Sequence, residues 1–484
     1  MGGSGTLAGA RDAVGVAGVR VPTSPGGVRP SVRILHISTR LILGGSQENT
    51  VLSCEGQARL GHKVHLAFGP IHGPEGSLLD RVLAFNRGCS EGQERVRPVG
   101  RHVPVRDAGE PVVPIVLHEV RHLVREVSPA ADWKCLSELR DLIGRIGPDV
   151  VHTHSSKAGI LGRRSAWTFA RPGMKRSGID AKPPGIVHTI HGPPFMPVEG
   201  GFVGRARGRL RNWVYTVAER SAARRCHAIV SVADAMTRTF LDRSIGEPGQ
   251  YVTVYSGMEV EAFLTPGPGQ DRATARASLG LSRGDLVIGT VARLAEHKGH
   301  DDLLDALAED LRSHPSWRLL WVGDGWWRTR LIERARSMGL LVREADVQRP
   351  APEETSRANI VVTGLVPPDR VPAMIRAMDI LAHPSYREGL PRTVPQALLC
   401  GVPVVAYDVD GTGEACIDGQ TGVLVRAGDI DGLGGGVRAL AEDPAARARL
   451  GAAGRERCED RFDCEKMVAQ LESVYARAVS AARR

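Results

Sequence analysis

Residues 286–299 read Leu-Val-Ile-Gly-Thr-Val-Ala-Arg-Leu-Ala-Glu-His-Lys-Gly, and a helical pattern follows near residues 300–311. The first six residues predict a buried strand, and the next eight would connect that strand to the helix. The same order of strand, loop and helix recurs along most of the chain. Such repetition predicts parallel sheets that carry helices on both faces.

Strands and helices alternate on both sides of this stretch. Before it, the sequence predicts strands at 32–38, 63–68, 149–154, 186–191, 228–232 and 252–255, with a helix at 47–60. After it, strands are predicted at 318–322, 360–363, 379–382, 403–406 and 422–425, and helices near 327–338, 369–378, 390–400 and 432–442. Residues 86–131 and 341–358 follow no clear pattern.

The segment 264–271 separates the two series, because it holds two prolines and two glycines, as interdomain linkers often do. The fold class is therefore α/β, with two doubly wound Rossmann-like domains facing across a cleft. The predicted boundaries are a disordered extension at 1–30, a first domain at 31–263, a linker at 264–272, a second domain at 273–455 and a closing helical segment at 456–484.

Composition predicts a soluble, cytoplasmic protein. The 484 residues are 42% hydrophobic and 24% charged, and no run of about 18 apolar residues suggests a spanning helix. The extension lacks the apolar core of a signal peptide. Eight cysteines without C-x-x-C spacing predict reduced, mostly buried thiols. The net charge of +9 rests on arginine, since only seven of 63 basic residues are lysines, so no nucleic-acid partner is expected.

Candidate ligand-binding residues follow the strands, because open parallel sheets bind ligands beyond the carboxyl ends of their strands. Arg293 and Lys298 precede a helix start, where two cations and free N–H groups would suit a diphosphate. Gly44 and Gly45 would let the backbone approach an anion closely. The alternatives are two solvated loop cations and an ordinary tight turn.

A second cluster of candidates follows the predicted strands at 379–382 and in the first domain. Glu388 and Gly389 precede Pro391, which suits a first helical turn, so Glu388 either meets a ligand or caps the helix. Histidines stand at the ends of two first-domain strands: His152, His154, His188 and His191. They would hydrogen-bond a substrate or a loop, and a metal site is the alternative.

The second domain resembles the family-4 glycosyltransferases, retaining enzymes of GT-B fold. The resemblance rests on the order of short motifs over about 140 residues, and the first domain matches more loosely. The motifs are Gly289-Thr290-Val291-Ala292-Arg293-Leu294, His297-Lys298-Gly299, Val322-Gly323-Asp324-Gly325, Val362-Thr363-Gly364, Pro384-Ser385-Tyr386-Arg387-Glu388-Gly389-Leu390-Pro391, Gly401-Val402-Pro403-Val404-Val405-Ala406, Gly411-Thr412-Gly413-Glu414 and Asp418-Gly419-Gln420-Thr421-Gly422, with Gly44-Gly45, 148–154 and His188-Thr189-Ile190-His191-Gly192 in the first domain.

The resemblance implies transfer of a sugar from a nucleotide diphosphate donor, UDP more than GDP, without a metal or other cofactor. The acceptor would be a glycan, a lipid-linked sugar or a small molecule. Arg293 and Lys298 would hold the diphosphate, Gly44 and Gly45 would approach it from the first domain, and the final helix would brace that domain. The other implied contacts are Glu388 with the donor sugar, Gly389 and Leu390 with phosphate or sugar through their amides, Gly364 with the base, and His191 with the transferred sugar.

Gln396 departs from the family pattern. It stands eight residues after Glu388, where the family has a second glutamate that binds the ribose hydroxyls. A carboxylate accepts two hydrogen bonds from a diol, whereas an amide offers one acceptor and one donor. The substitution therefore bears on nucleotide binding more than on the chemical step.

Three other functions are compatible with parts of the sequence. Asp408-Val409-Asp410 has the Asp-x-Asp spelling of metal-dependent GT-A transferases, although it lies late in the second domain. Another nucleotide-sugar-processing enzyme could share the fold, such as a phosphorylase or an epimerase. A degenerate, non-catalytic nucleotide-sugar-binding module is the third. Gln396 favours it slightly, whereas the intact Arg293, Lys298 and Glu388 oppose it.

The segment 202–225 also suggests peripheral contact with an anionic membrane. Seven arginines oppose one acid, Glu219, and Trp213 and Tyr215 lie among them. Basic helices with interfacial aromatic residues bind anionic lipid surfaces. The alternatives are a solvated helix face and arginines that face an anionic acceptor.

Overall fold

The computed structural model describes residues 31–71, 76–100, 102, 104–170, 182–195, 202–345 and 358–484. The predicted extension at 1–30 and most of the unassigned segment 341–358 lie outside these residues. Each half of the chain builds one seven-stranded parallel sheet. The predicted fold class is confirmed.

The first sheet has the strand order β3-β2-β1-β4-β5-β6-β7. Its strands and helices are β1 (Arg33–Ser38), α1 (Gly45–Arg59), β2 (Lys63–Phe68), α2 (Leu79–Ser90), β3 (Val116–Glu119), α3 (Pro129–Ile146), β4 (Val150–His154), α4 (Ser156–Ala170), β5 (Gly185–Ile190), α5 (Phe202–Ala223), β6 (Ala228–Ser231), α6 (Asp234–Leu241), β7 (Tyr251–Thr253) and α7 (Glu261–Leu264).

The second sheet has the order β10-β11-β9-β8-β12-β13-β14. Its elements are α8 (Arg272–Ser278), β8 (Leu286–Val291), α9 (His300–Ser313), β9 (Trp317–Val322), α10 (Arg328–Ser337), β10 (Val342–Glu344), β11 (Ile360–Val362), α11 (Val371–Arg376), β12 (Ile380–His383), α12 (Thr393–Leu399), β13 (Val404–Tyr407), α13 (Thr412–Ala415), β14 (Gly422–Val425), α14 (Ile430–Glu442), α15 (Pro444–Arg461) and α16 (Cys464–Ala482).

The central strands are buried on both faces, as their apolar sequences predict. β4, β5, β9, β12 and β13 are buried throughout. In each sheet the strand order reverses beside the first strand, between β1 and β4 and between β8 and β12. Ligands of open parallel sheets bind at such switch points, so the loops after these four strands form the candidate site.

Two edge strands, β3 and β10, lie in the segments without a sequence assignment. Both are short and partly exposed, so their sequences carry neither a continuous apolar run nor a clean alternation. Their positions depend on pairing with β2 and β11.

The last helix, α16, packs against the first sheet although it follows the second in the chain. Val468, Leu471, Val474 and Tyr475 share an apolar cluster with residues of the first sheet, including Val187. All eight cysteines are free, and six of them are buried. None of the helices in the described ranges has the length and apolar character needed to cross a bilayer.

Candidate active site

A cleft of about 1640 Å³ lies between the carboxyl ends of the two sheets. Both domains contribute to its walls. The predicted site residues that line it are Gly44, Gly45, His191, Arg293, Lys298, Glu388, Gly389, Leu390 and Gln396. The loops after β1, β8 and β12 supply most of them, as expected at two facing switch points.

Lys298 and Glu388 form an ion pair at the centre of the second-domain wall. Lys298 Nζ lies 2.5 Å from Glu388 Oε1, and His383 Nε2 lies 3.1 Å from the same oxygen. Burial disfavours the charged carboxylate, but Lys298 and His383 outweigh it and hold the pKa of Glu388 below its ordinary value. The site thus carries an ionised glutamate and an ammonium whose remaining N–H groups can reach a ligand.

The backbone of Glu388 is held by Asp410, the second aspartate of the Asp-x-Asp spelling. The Glu388 amide donates to Asp410 Oδ2 over 2.7 Å, and Asp410 has a positive φ of 46°. Burial raises the pKa of Asp410, the hydrogen bond from the Glu388 amide lowers it, and the charge of the Glu388 carboxylate raises it again. Asp410 therefore braces the Glu388 loop, and the GT-A alternative is wrong because the chain forms two separate seven-stranded parallel sheets that face each other across a cleft.

Arg293 lines the cleft, and its guanidinium carbon lies 5.5 Å from the centre of the Trp326 ring. Trp326 is an exposed aromatic residue on the cleft wall. Gly364, predicted to border the base, has a positive φ and pairs with Gly323. Leu365, the next residue, lines the cleft. This wall therefore offers a cation and two apolar side chains to a ligand.

At two positions in the cleft, the domains approach each other so closely that only glycine fits without a shift of the neighbouring atoms. A Cβ on Gly389 would lie 1.9 Å from the backbone oxygen of His191. A Cβ on Gly45 would lie 2.6 Å from Arg392 Cδ. In this structure, both glycines therefore contact the other domain.

Gln396 lies on α12, one turn after the Glu388 loop. It is 8% exposed and is one of the residues that line the cleft. Leu390, in the loop before α12, is buried and also lines the cleft.

Sequence reasoning missed the polar contacts that join the domains. Arg392 donates to Glu48 Oε1 over 2.8 Å and to the Gly257 carbonyl over 2.6 Å. Glu414 accepts from the first two amides of α6, at 2.9 and 2.8 Å. These partners lie far apart in sequence, and no spacing or composition signal joins them.

The strand-end histidines gather in the first domain as expected, but they bond mainly to one another and to packed side chains. His36 is directly opposite His152 in the register of β1 and β4. His154 lies on the same face of β4, two residues along. His154 Nδ1 is 3.1 Å from His191 Nε2, so the cluster reaches the cleft wall.

His36, His152 and His154 are buried, His191 is partly buried, and burial disfavours the charged form of each of these histidines. Burial lowers the pKa of His36 to about 4, and burial together with Arg392 lowers the pKa of His191 to about 3. Burial and the neighbouring histidines also hold the pKa values of His152 and His154 well below the ordinary value. One nitrogen each from His36, His152 and His154 lies within 4.8 Å of the others, a spacing a metal could bridge. His36 Nδ1 and His154 Nε2, however, are 2.9 Å apart, the distance of a shared hydrogen bond.

Comparison with known proteins places both domains in described families. Residues 43–262 match Glycosyltransferase Family 4, and residues 271–457 match Glycosyl transferases group 1. A D-inositol 3-phosphate glycosyltransferase of Corynebacterium aurimucosum is 30% identical over 69% of this chain and 72% of that protein. The corresponding enzyme of Rhodococcus erythropolis is 36% identical over 43% of this chain, and this match spans 45% of that relative.

Solved structures share the architecture. Anabaena HepE in complex with UDP and glucose has a TM-score of 0.65 at 18% identity, over 92% of this chain and 99% of that one. Sucrose-phosphate synthase of Thermosynechococcus elongatus has a TM-score of 0.67 at 19% identity, over 93% and 100%. At this identity they establish the fold alone. Together with the Corynebacterium relative and the paired family matches, they show that this chain belongs to the group 1, family 4 glycosyltransferases of GT-B fold.

Proposed function

We propose that this chain transfers a sugar from a nucleotide diphosphate donor, UDP rather than GDP, to a glycan, lipid-linked or small-molecule acceptor, with retention and without a metal. The observation that carries the proposal is the grouping of Arg293, Lys298 and Glu388 at the switch point of the second sheet. The N-terminus of α9 follows Lys298 directly, so backbone N–H groups add to the positive potential there.

The proposed chemistry needs stabilisation of a leaving diphosphate. The bond from the sugar C1 to the phosphate oxygen breaks, and its electron pair passes to the diphosphate. The acceptor oxygen bonds to C1 on the same face, and its proton passes to the departing phosphate oxygen. Arg293 and Lys298 would stabilise the developing charge, while Glu388 would accept a hydrogen bond from a sugar hydroxyl.

The relatives give support for both nucleotides, so the donor must be measured. HepE is described in complex with UDP. A mannosyltransferase of Corynebacterium glutamicum, 28% identical over 56% of this chain, is described as GDP-mannose-dependent. We favour UDP, the nucleotide in the HepE structure. The exposed wall formed by Trp326 and Leu365 offers apolar surface to either base, and Asp324 lines the same cleft.

The proposal is tested by thermal unfolding with UDP, GDP and ADP, followed by release of nucleotide from the matching sugar donor in EDTA. UDP at 100 times its dissociation constant should stabilise the fold by about 2.7 kcal/mol. Release of UDP from its donor should persist in excess EDTA, because cations of the chain replace a metal. Binding without any turnover would identify a non-catalytic module, and activity restored only by manganese would overturn the metal-free mechanism.

Gln396→Glu is expected to tighten UDP binding by up to about one order of magnitude, with little change in the chemical step. A carboxylate on the cleft side of α12 would accept from both ribose hydroxyls, and hydrogen bonds to charged groups contribute about 1.5–3 kcal/mol against about 1 for neutral ones. Calorimetric titration with UDP measures the change. Gln420→Glu, an exposed site in the same domain, is the control. A lower melting temperature with unchanged affinity would show that Gln396 is a packing residue.

We also propose that α5 rests on an anionic membrane at its cytoplasmic face. Leu210, Trp213, Val214 and Val217 are exposed at spacings of three, one and three residues, which places them on one side of the helix. Glu219, the acid of this segment, is buried and paired with Arg163 at 2.6 Å. It therefore leaves the charge of the exposed arginines uncompensated. These include Arg207, Arg209, Arg211 and Arg220.

Vesicle sedimentation tests this surface. The protein should sediment with phosphatidylglycerol vesicles at low salt, remain in solution with phosphatidylcholine, and be released at 0.5 M salt, since each cation near the surface contributes about 1 kcal/mol. Trp213→Ser should weaken binding, whereas Trp133→Ser, at a tryptophan 74% exposed on α3, should not. Failure to sediment at low salt would reject the membrane contact.

A further inference from the structure

A line of buried polar side chains runs from the closing helix α16 to the cleft. Gln57 on α1 donates through Nε2 to Tyr475 Oη over 2.9 Å, and its Oε1 lies 2.7 Å from His36 Nε2. His36 Nδ1 is 2.9 Å from His154 Nε2, and His154 Nδ1 is 3.1 Å from His191 Nε2. Among these hydrogen-bonded side chains, His191 is the one that lines the cleft.

With the Gln57 amide in this orientation, the hydrogen bonds determine which ring nitrogen of each neutral histidine carries the proton. The lowered pKa values of the histidines favour their neutral forms. A neutral imidazole has one donor nitrogen and one acceptor nitrogen. Gln57 Oε1 only accepts, so His36 carries its proton on Nε2 and accepts at Nδ1. His154 must then donate through Nε2 and accept at Nδ1. His191 in turn must donate through Nε2.

Because a tyrosine hydroxyl both donates and accepts, the far end of this hydrogen-bond chain accommodates this orientation of the Gln57 amide. Its Nε2 donates to Tyr475, whose hydroxyl lies 2.7 Å from His152 Nδ1. His152 Nε2 lies 2.7 Å from Thr189 Oγ1. With Tyr475 donating to His152 and His152 donating to Thr189, each group in this branch has a partner of the correct kind.

We propose that Gln57 is a positioning residue that sets the tautomer of His191 through His36 and His154, so that Nδ1 of His191 is the nitrogen left to accept a hydrogen bond from a ligand in the cleft. A sugar hydroxyl is a suitable donor for this nitrogen. This last step rests on the proposed function, whereas the tautomer does not. Within the described residues, the titratable and charged groups near His191 are His152, His154, His188 and the guanidinium of Arg392.

The test is the ¹⁵N spectrum of the full chain labelled at histidine, with His191→Gln used to assign the His191 signals. In the wild-type protein at pH 7.5, His191 should be protonated on Nε2 and unprotonated on Nδ1. Gln57→Met keeps the length of the side chain but leaves His36 without an acceptor for Nε2–H. The donors and acceptors along the hydrogen-bonded histidines should then exchange roles, so that the His191 proton moves to Nδ1.

Ser53→Ala is the matched control, because Ser53 is buried on α1 one turn before Gln57 and bonds only within that helix. It should leave the His191 tautomer unchanged. A wild-type spectrum with the proton on Nδ1 would overturn the proposal without any variant. So would an unchanged tautomer in folded Gln57→Met, or stoichiometric zinc that is lost in His36→Gln.

A second measurement links the tautomer to turnover. With the nucleotide sugar that supports release in the wild-type chain, Gln57→Met should lower kcat about tenfold, the effect of one lost hydrogen bond, and change KM less than twofold. An equal rise in KM with unchanged kcat would indicate a general loss of fit and overturn the positioning role. Because the spectra need no donor, failure of the proposed function would leave the tautomer assignment standing.

Discussion

Lys298→Ala is expected to lower nucleotide release from the sugar donor about a hundred- to a thousandfold while the chain stays folded. Loss of one preorganised donor to developing charge has effects of this size in other enzymes. Lys298 is placed to act in this way, because it lies at the end of the β8 loop, beside the start of α9, and 2.5 Å from Glu388. The measurement is kcat and KM with the donor that stabilises the wild-type protein.

The variant also removes the partner of a carboxylate whose side chain is only 12% exposed. Glu388 keeps its contact with His383, so we expect a loss of about 1–3 kcal/mol in the free energy of unfolding rather than an unfolded chain. Lys466→Ala, at a lysine of α16 whose side chain is 42% exposed, controls for removal of a lysine. Turnover like that of the wild type at saturating donor would remove Lys298 from the catalytic machinery.

The sequence predicts those residues of the candidate site that lie in the loops directly after strands. Arg293, Lys298 and Glu388 each follow a strand with an unmistakable apolar run, and parallel sheets place such loops together. The sequence could not predict what depends on the relative placement of the two domains. Arg392 and Glu414 meet first-domain partners from the loops after β12 and β13, and nothing local marks those partners.

The hydrogen-bonded histidines are a second feature that the sequence predicts only in part, because their grouping depends on which strands become neighbours. The sequence pattern places His152 and His154 at the end of a predicted strand and His36 within another. Their grouping requires β1 and β4 to be neighbours in a particular register, which places His36 opposite His152. Gln57 and Tyr475 join it from helices whose packed faces have no sequence pattern that singles out one polar residue.

Gly389→Ala is expected to lower kcat/KM for the donor about a hundredfold with little change in melting temperature. Gly389 does not need positive φ in this structure, so the effect comes from the added carbon alone. That carbon would lie 1.9 Å from the backbone oxygen of His191 and 3.1 Å from the Cα of Gly192. Backbone atoms cannot rotate away as a flexible side chain does, so the first-domain wall and the Glu388 loop must separate. Displacements of about 1 Å at reacting groups can cost two orders of magnitude in rate.

Steady-state kinetics and calorimetric titration with UDP separate the consequences of this displacement. Lys298 and Arg293 belong to the second domain alone, so UDP affinity should change less than kcat/KM, which depends on His191 from the first domain. Gly435→Ala is the control, because a Cβ there meets nothing within 4 Å on α14. Kinetics like those of the wild type in Gly389→Ala would show that the contact between Gly389 and His191 opens during turnover, and that the closed arrangement is not the one in which the sugar is transferred.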